Sequence, residues 1–334
     1  MAITTLDGII AGMRPPEEFY KPGAGTQVVG RPYSLFYTAG MPGAAATPTP
    51  GIQGIALTSY AGQLGFSNPV SGNSYLARFA AESTVIGTVL LCDRLWHSSG
   101  YSATSTSLQV VNATISAASL ANPTQITTAT AHGFTNGQSI YVNCPTSTPV
   151  INGNYTITYV GANDFTIPVN VSSAGNSGSV YPALPARDEN GASNGVGVFA
   201  AYEVSGAMAA GTPTFTITYV NQSGVAGQVS PSVTFAASHP IGTFIPIPLA
   251  AGDTGVRGIK DHTKNATQTS GTYHLVLYRV ISRIPITIAG SGGAVDAITS
   301  GMPRLYDNSV PFLVFVCGST TAPTVSGQYV VTQG

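Results

Sequence analysis

Apolar and polar residues alternate with a period of two along most of the chain. In SIYVNC, Ile140, Val142 and Cys144 alternate with Tyr141 and Asn143. In NYTITYV, Tyr155, Ile157 and Tyr159 alternate with Thr156 and Thr158, and in FTIPVNV, Phe165, Ile167 and Val169 share one face. Successive side chains of a strand point to opposite faces, so each segment presents an apolar face to a core. TFTITYV (214–220), TFIPIPL (243–249), YHLVLYRV (273–280) and PFLVFVCG (311–318) predict further strands. Turn clusters such as NQSG (221–224), AAGDTG (250–255) and GSGG (290–293) separate them. Helical signals are confined to TTLDGIIAG near the N-terminus and SGGAVDAITSGM (291–302), and 39 glycines and 23 prolines argue against longer helices. The pattern predicts an all-β protein: a β-sandwich or jelly-roll-like host, an inserted small β-barrel or immunoglobulin-like domain, and an extended N-terminal arm.

Charge divides the chain. Between 108 and 182 the only charged side chain is Asp164, and charge returns on either side in LLCDRLWH (90–97) and PARDENG (185–191). This predicts an arm at 1–39, a host domain built from 40–107 and 183–334, and an insert at 108–182 whose ends emerge close together. Charged residues make up 7% of the whole, against roughly 25% in ordinary soluble domains. So sparse a supply points to surface covered by other subunits. Lys plus Arg (12) nearly balance Asp plus Glu (13), and no basic stripe marks a nucleic-acid partner. The N-terminus has no secretory pattern, and runs such as VIGTVLLC (85–92) fall far short of the ~20 residues of a membrane span.

Candidate chemistry is sparse. Cys92, Cys144 and Cys317 lie too far apart for a disulfide framework or a metal cage, so buried free thiols are expected. His132 and Cys144 flank HGFTNGQ, which reads as strand end, turn and strand, with His132 bonded to the turn backbone. GVGVFA (195–200) lacks the strand and helix that a dinucleotide site requires, and none of Lys21, Lys260 and Lys264 follows a phosphate-loop glycine pattern. DENGASNG (188–195) departs from a calcium loop at Ala192 and Ser193. Asp93, Arg94 and His97 beside Trp96 predict a buried salt bridge packed on that ring, and KDHTK (260–264) predicts an exposed loop. No catalytic, cofactor or metal site is expected. Tyr and Arg concentrate instead near the N-terminus, where Arg14, Phe19, Tyr20, Lys21, Arg31, Tyr33, Phe36 and Tyr37 form the candidate partner interface.

The stretch ANPTQITTATAHGFTNGQSIYVNC, followed by INGNYTITYVGANDFTI, resembles a small β-module of bacteriophage virion proteins. That module is labelled after the first catalytic-cysteine half-domain of ubiquitin-activating enzymes, which lacks the catalytic cysteine, so no activity carries over. GRPYSLFYTAGMPGA, LLCDRLWH, LAAGDTGVRGI and GMPRLYDNSVPFLVFV resemble structural proteins of tailed phages. The resemblance implies a virion protein made in the bacterial cytoplasm, and chain size and the lack of fibre-like repeats favour the capsid surface over the tail. Its expected role is decoration or cement, with the major capsid protein and further copies of itself, as a trimer, for partners. A tail-tube, adaptor or baseplate component is the first alternative. A carbohydrate-binding or hydrolysing virion protein is the second.

Overall fold

The computed structural model describes residues 3, 5–23, 27–46, 54–56, 58–98, 100–107, 109–110 and 113–334. Its period-two segments are antiparallel strands, among them Ser139–Cys144, Thr214–Asn221, Phe244–Ile247, Ser270–Ile286 and Pro311–Cys317. Leu6–Ala11 is the one helix among the described residues. The second expected helix is a strand instead. Ser291–Asp296 pairs with Ser74–Ser83, and Asp296 ends it by accepting from the N–H groups of Ile298 and Thr299. Adjacent glycines weaken any helix there, and only the bare edge of Gly293 fits, since a Cβ would lie 2.7 Å from Ile284 Cγ2.

At the centre of the host, six strands follow one another in the order Phe244–Ile247, Phe199–Ala209, Ser270–Ile286, Gly87–His97, Pro311–Cys317, Pro32–Ser34. A bridge between Tyr33 and Thr243 joins the last to the first, with Ser34 N donating to Gly242 O at 2.7 Å, and the sheet closes into a barrel. Alternation then sorts the side chains. Cys92, Ala201, Phe244, Val276, Phe312 and Val314 pack together inside, while their neighbours Leu91, Ala200, Leu277 and Leu313 belong to two other cores.

Two outer sheets cover those cores. One consists of Glu17–Pro22, Thr324–Gln333, Ser74–Ser83 and Ser291–Asp296, with Arg304–Leu305 also paired to Ser74–Ser83, and closes Phe19, Phe79 and Tyr329 over Val89, Leu91 and Phe315. The other contains Thr214–Asn221 and Val256–Lys264, and closes Phe215, Ile217 and Ile259 over Tyr202, Tyr273 and Leu275. The 17-residue strand Ser270–Ile286 serves both flanks. Register shifts against Gly87–His97 at Leu277/Tyr278 and Val280/Ser282 re-aim its side chains between them.

Residues 113–182 supply every strand of a further seven-stranded sheet. Its two outermost strands, Ile151–Thr156 and Thr158–Gly161, are halves of one segment bent at Ile157, so this sheet curls around its own core of Ile115, Ile126, Ile140, Val142, Phe165 and Val180. Ala113 faces Val180 in the ladder, so the segment leaves and rejoins the host side by side. Tyr141 and Tyr181 stack at 5.0 Å on its outer wall and meet Val220 of the host.

The N-terminal segment is not a free arm. Glu17–Pro22 pairs with Thr324–Gln333, and Pro32–Ser34 is a barrel strand. The same alternation explains it: Phe19 and Lys21 point inward while Glu18 and Tyr20 point out.

Candidate functional site

The eight expected anchors have different fates. Phe19, Lys21, Tyr33 and Phe36 are buried within their own chain and offer no surface to a partner. Lys21, only 1% exposed, donates its Nζ to the carbonyls of Thr38, Pro42 and Gly43, and burial lowers its pKa to about 8. Tyr33 donates to the Ile241 carbonyl, and burial raises its phenol to about 12. Tyr37 is half-buried against His274 Nε2 at 3.0 Å, and Arg31 is half-buried against His239 Nδ1 at 3.1 Å. Arg14 and Tyr20 remain exposed. A sequence rich in Tyr and Arg suits a core seam as well as an interface, and here half of the set became core.

Arg94 does form a buried salt bridge inside the central barrel, but with Glu203 rather than with Asp93, which faces Arg187 and Arg279 instead. Arg94 Nη2 meets Glu203 Oε2 at 2.6 Å and His274 Nε2 at 2.9 Å, and His274 Nε2 lies 2.7 Å from the same carboxylate oxygen. The guanidinium stacks on Phe36 at 4.3 Å, not on Trp96. Burial pushes Glu203 toward its neutral form, but Arg94 and His274 hold it well below the usual carboxylate range. His97, capped by Tyr60 at 2.8 Å, is pushed down to about 3 by burial and by the charge of Arg94. Acid–base relays place carboxylate and nucleophile on opposite ring nitrogens of the histidine. Glu203 and Tyr37 both approach Nε2, and Nδ1 has no hydrogen-bond partner, so the cluster is not built as a relay.

The other candidates resolve into architecture. His132 Nδ1 accepts from Phe134 N at 3.0 Å, which places the ring proton on Nε2 for donation to the Gly161 carbonyl. Gly133 and Gly137 adopt φ of +67° and +78°, the left-handed turn conformation that glycine permits. Asp188 takes backbone N–H groups where a calcium loop would place a cation: Asn190 and Ala192 on Oδ1, Asn194 and Val196 on Oδ2. KDHTK is not a loop but the end of Val256–Lys264, with His262 buried against Tyr273 OH at 2.9 Å and Lys264 donating to the Ala103 carbonyl. Its polar composition hid a strand whose two inward side chains, His262 and Lys264, find internal partners. All three cysteines are buried free thiols, and burial raises Cys317 to about 11. Among the described residues no group of acidic, His and Cys side chains could hold a metal, and no helix is long and apolar enough to cross a membrane.

Glu203, His274, Arg187 and Arg279 escaped the reading of the sequence. A signal existed for three of them. Glu203 in FAAYEVSGAM, and His274 and Arg279 in YHLVLYRV, are ionisable residues in apolar strands, which demand a buried partner.

Apolar side chains exposed to solvent gather at loop tips and on the helix. Thr5 caps Leu6–Ala11, its side chain accepting from Gly8 N, yet no residue of the helix is buried. Leu6, Ile10 and Met13 are 63%, 57% and 44% exposed, although they follow helical spacing. The helix rests on the end of Thr324–Gln333 through Thr332 Oγ1 donating to the Ile9 carbonyl at 2.8 Å. At the far end of the same outer sheet, the tips at Val29, Ile86 and Ile288 are exposed too.

No family model and no curated protein matches the chain. Among solved structures, a mutant VP2 protein of infectious bursal disease virus aligns over 95% of this chain and 77% of its own, at 11% identity and a TM-score of 0.14. The VP2 subviral particle of that virus aligns over 97% and 81% respectively, at 10% identity and the same TM-score of 0.14. So low a TM-score carries no weight for topology or role.

Proposed function

We propose that this chain is a structural protein of a tailed-bacteriophage virion, and that it decorates and cements the outer surface of the head. The observation that carries the assembly role is the helix Leu6–Ala11, whose apolar Leu6 and Ile10 are left uncovered, with Met13 exposed just beyond its C-cap. A helix this short is marginal in water by itself, and a stripe at these spacings is how an amphipathic helix seats in a groove. The sequence resemblance supplies the phage virion. The sparse charge and the commitment of ionisable groups to internal pairs favour a binding role over an enzymatic one. The partners are the major capsid protein and further copies of the chain, arranged as a closed oligomer such as a trimer. Burial of apolar surface across joints between capsid subunits would stabilise the shell.

The test is a truncation. Removal of residues 1–13 spares every strand, whereas removal through residue 30 would strip Glu17–Pro22 from its sheet. The shortened protein should keep its melting temperature within a few degrees and fail to co-sediment with particles that lack the protein. Equal retention of truncated and full-length chains sinks the role of the helix.

A further inference from the structure

An exposed strand edge is a template for pairing with another chain unless the fold covers it. The central sheet closes on itself through Tyr33 and Thr243, and the sheet of residues 113–182 curls around its own core. Glu17–Pro22, at one edge of its outer sheet, is covered at Tyr20, which exchanges hydrogen bonds of 2.8 Å with Met41 in both directions. At the opposite edge, Ser291–Asp296 pairs with Ser74–Ser83 and, among the described residues, with no strand on its other side. It carries no Lys or Pro, the residues that commonly protect such an edge.

The ladder fixes which groups this edge leaves unpaired. Thr84 N donates to Thr324 O, whereas Ser83 O accepts from Gly290 N. Successive residues of an antiparallel strand direct their N–H and C=O groups to opposite sides. Ser83, Ala81 and Phe79 therefore bond toward Ser291, Gly293 and Val295, and Gly292 and Ala294 turn their own groups outward. Asp296 turns outward as well, but its N–H donates to Thr299 Oγ1 and its carbonyl accepts from Ser300 N, both at 2.8 Å. Beyond the two ends of the strand stand Ile288 and Ile298, 67% and 85% exposed and each five residues from Gly293.

These features are self-complementary. A two-fold axis through Gly293 sets Gly292 opposite Ala294 of a second copy, so the unpaired groups of each satisfy those of the other. The same axis brings Ile288 to Ile298 of the second copy at both ends of the pair. It places Asp296 against Gly290, where no like charge opposes it. Centring the axis on Ala294 would instead set Gly292 against Asp296, whose backbone groups are already bonded, and leave both isoleucines unmatched.

We propose that Ser291–Asp296 pairs antiparallel with the same strand of a second copy about a two-fold axis at Gly293, so that two outer sheets become one. The contact goes beyond the virion role. Being two-fold, it joins one oligomer to the next rather than closing a trimer. A ladder this short is weak for an isolated pair and gains strength where copies are arrayed.

The experiment is covalent trapping at high protein concentration. The three natural cysteines are buried, so Ile288→Cys and Ile298→Cys each present a single exposed thiol. Mixed and oxidised, the two variants should yield disulfide-linked dimer at least about tenfold above either variant alone. In the proposed register two copies of residue 288 lie roughly 33 Å apart, far beyond the ~7 Å between Cα atoms that a disulfide can bridge. Ala294→Pro removes an outward N–H without touching the ladder to Ser74–Ser83. Added to both variants, it should cut the yield about tenfold with the melting temperature within a few degrees. The cross-link should persist in the chain lacking residues 1–13, which separates this contact from that of the helix. No excess in the mixture, equal cross-linking of either variant alone, a yield unchanged by Ala294→Pro, or loss of the cross-link with residues 1–13 would each overturn the proposal.

Discussion

Inside the barrel a single carboxylate, Glu203, balances Arg94, with His274 against the same oxygen. Deleting one charge of a buried pair strands the other, at a cost of about 3–5 kcal/mol. Glu203→Gln should therefore lower stability by that amount in urea denaturation, and a loss below about 1 kcal/mol would mean that water reaches the barrel interior. The histidines carry a second prediction. In an unfolded chain they titrate near 6.5, whereas burial holds His97 and His262 at about 3 and His239 at about 4. Between these limits the unfolded chain binds more protons than the folded one, so stability falls as the pH drops below about 6.5. Glu203, whose pKa is depressed, adds to the loss below the usual carboxylate range. Thermal denaturation followed from pH 7.5 to pH 4.5 should show a steady decline in melting temperature. A flat profile would show that the histidines are solvated and already protonated in the fold.

Among the elements, the segment 113–182 has its own closed sheet and core, and Ala113 and Val180 are direct partners in a ladder. Neighbouring strands lie about 5 Å apart, so a short Gly-Ser bridge can replace everything between them without moving the host. Deletion of 113–181 should leave a cooperatively folding protein with its near-ultraviolet signal intact. A molten product would show that the contact of Tyr141 and Tyr181 with Val220 supports the host fold. The joint itself is tight. A Cβ at Gly258 would come within 2.5 Å of the Tyr181 ring, and Arg257 Nη1 donates to Tyr141 OH at 3.0 Å. Gly258→Val should accordingly displace the inserted barrel rather than unfold it, which limited proteolysis at the two crossings would register as faster cleavage.

For the molecule as a whole, one outer sheet carries exposed apolar residues at both ends, the helix at one and the tips with Val29, Ile86 and Ile288 at the other, and further ones lie on the insert at Leu120, Val150 and Val160. Contacts distributed in this way favour association of several copies over a single pairing. Under the proposed role, sedimentation at micromolar concentration should report a closed oligomer, with a trimer as the expected state. Truncation of residues 1–13 should shift it toward monomer. A full-length chain that stays monomeric across the whole concentration range would leave the helix to the capsid alone.

The sequence by itself determined the class of fold. Period-two alternation is a local property of a strand with one buried face, so Ser139–Cys144, Thr214–Asn221 and Pro311–Cys317 were legible without a partner in view. The turn at His132 and the existence of an uncharged insert were legible for the same reason, but its start was set by pairing: Gln109–Val110 joins the host strand Val256–Lys264, and the insert begins at Ala113 rather than 108. Tertiary structure alone decided what the polar residues are for. Phe19, Lys21 and Tyr33 had the composition of an interface, but pairing with Thr324–Gln333 and Pro311–Cys317 turned them inward. Glu203 and Arg94 are 109 residues apart in the chain and meet only because their strands flank Ser270–Ile286 in the sheet and both turn these side chains inward. A charge pattern along a chain records how many ions must be compensated. Which ion compensates which is set by closure of the barrel, a long-range event that no local window contains.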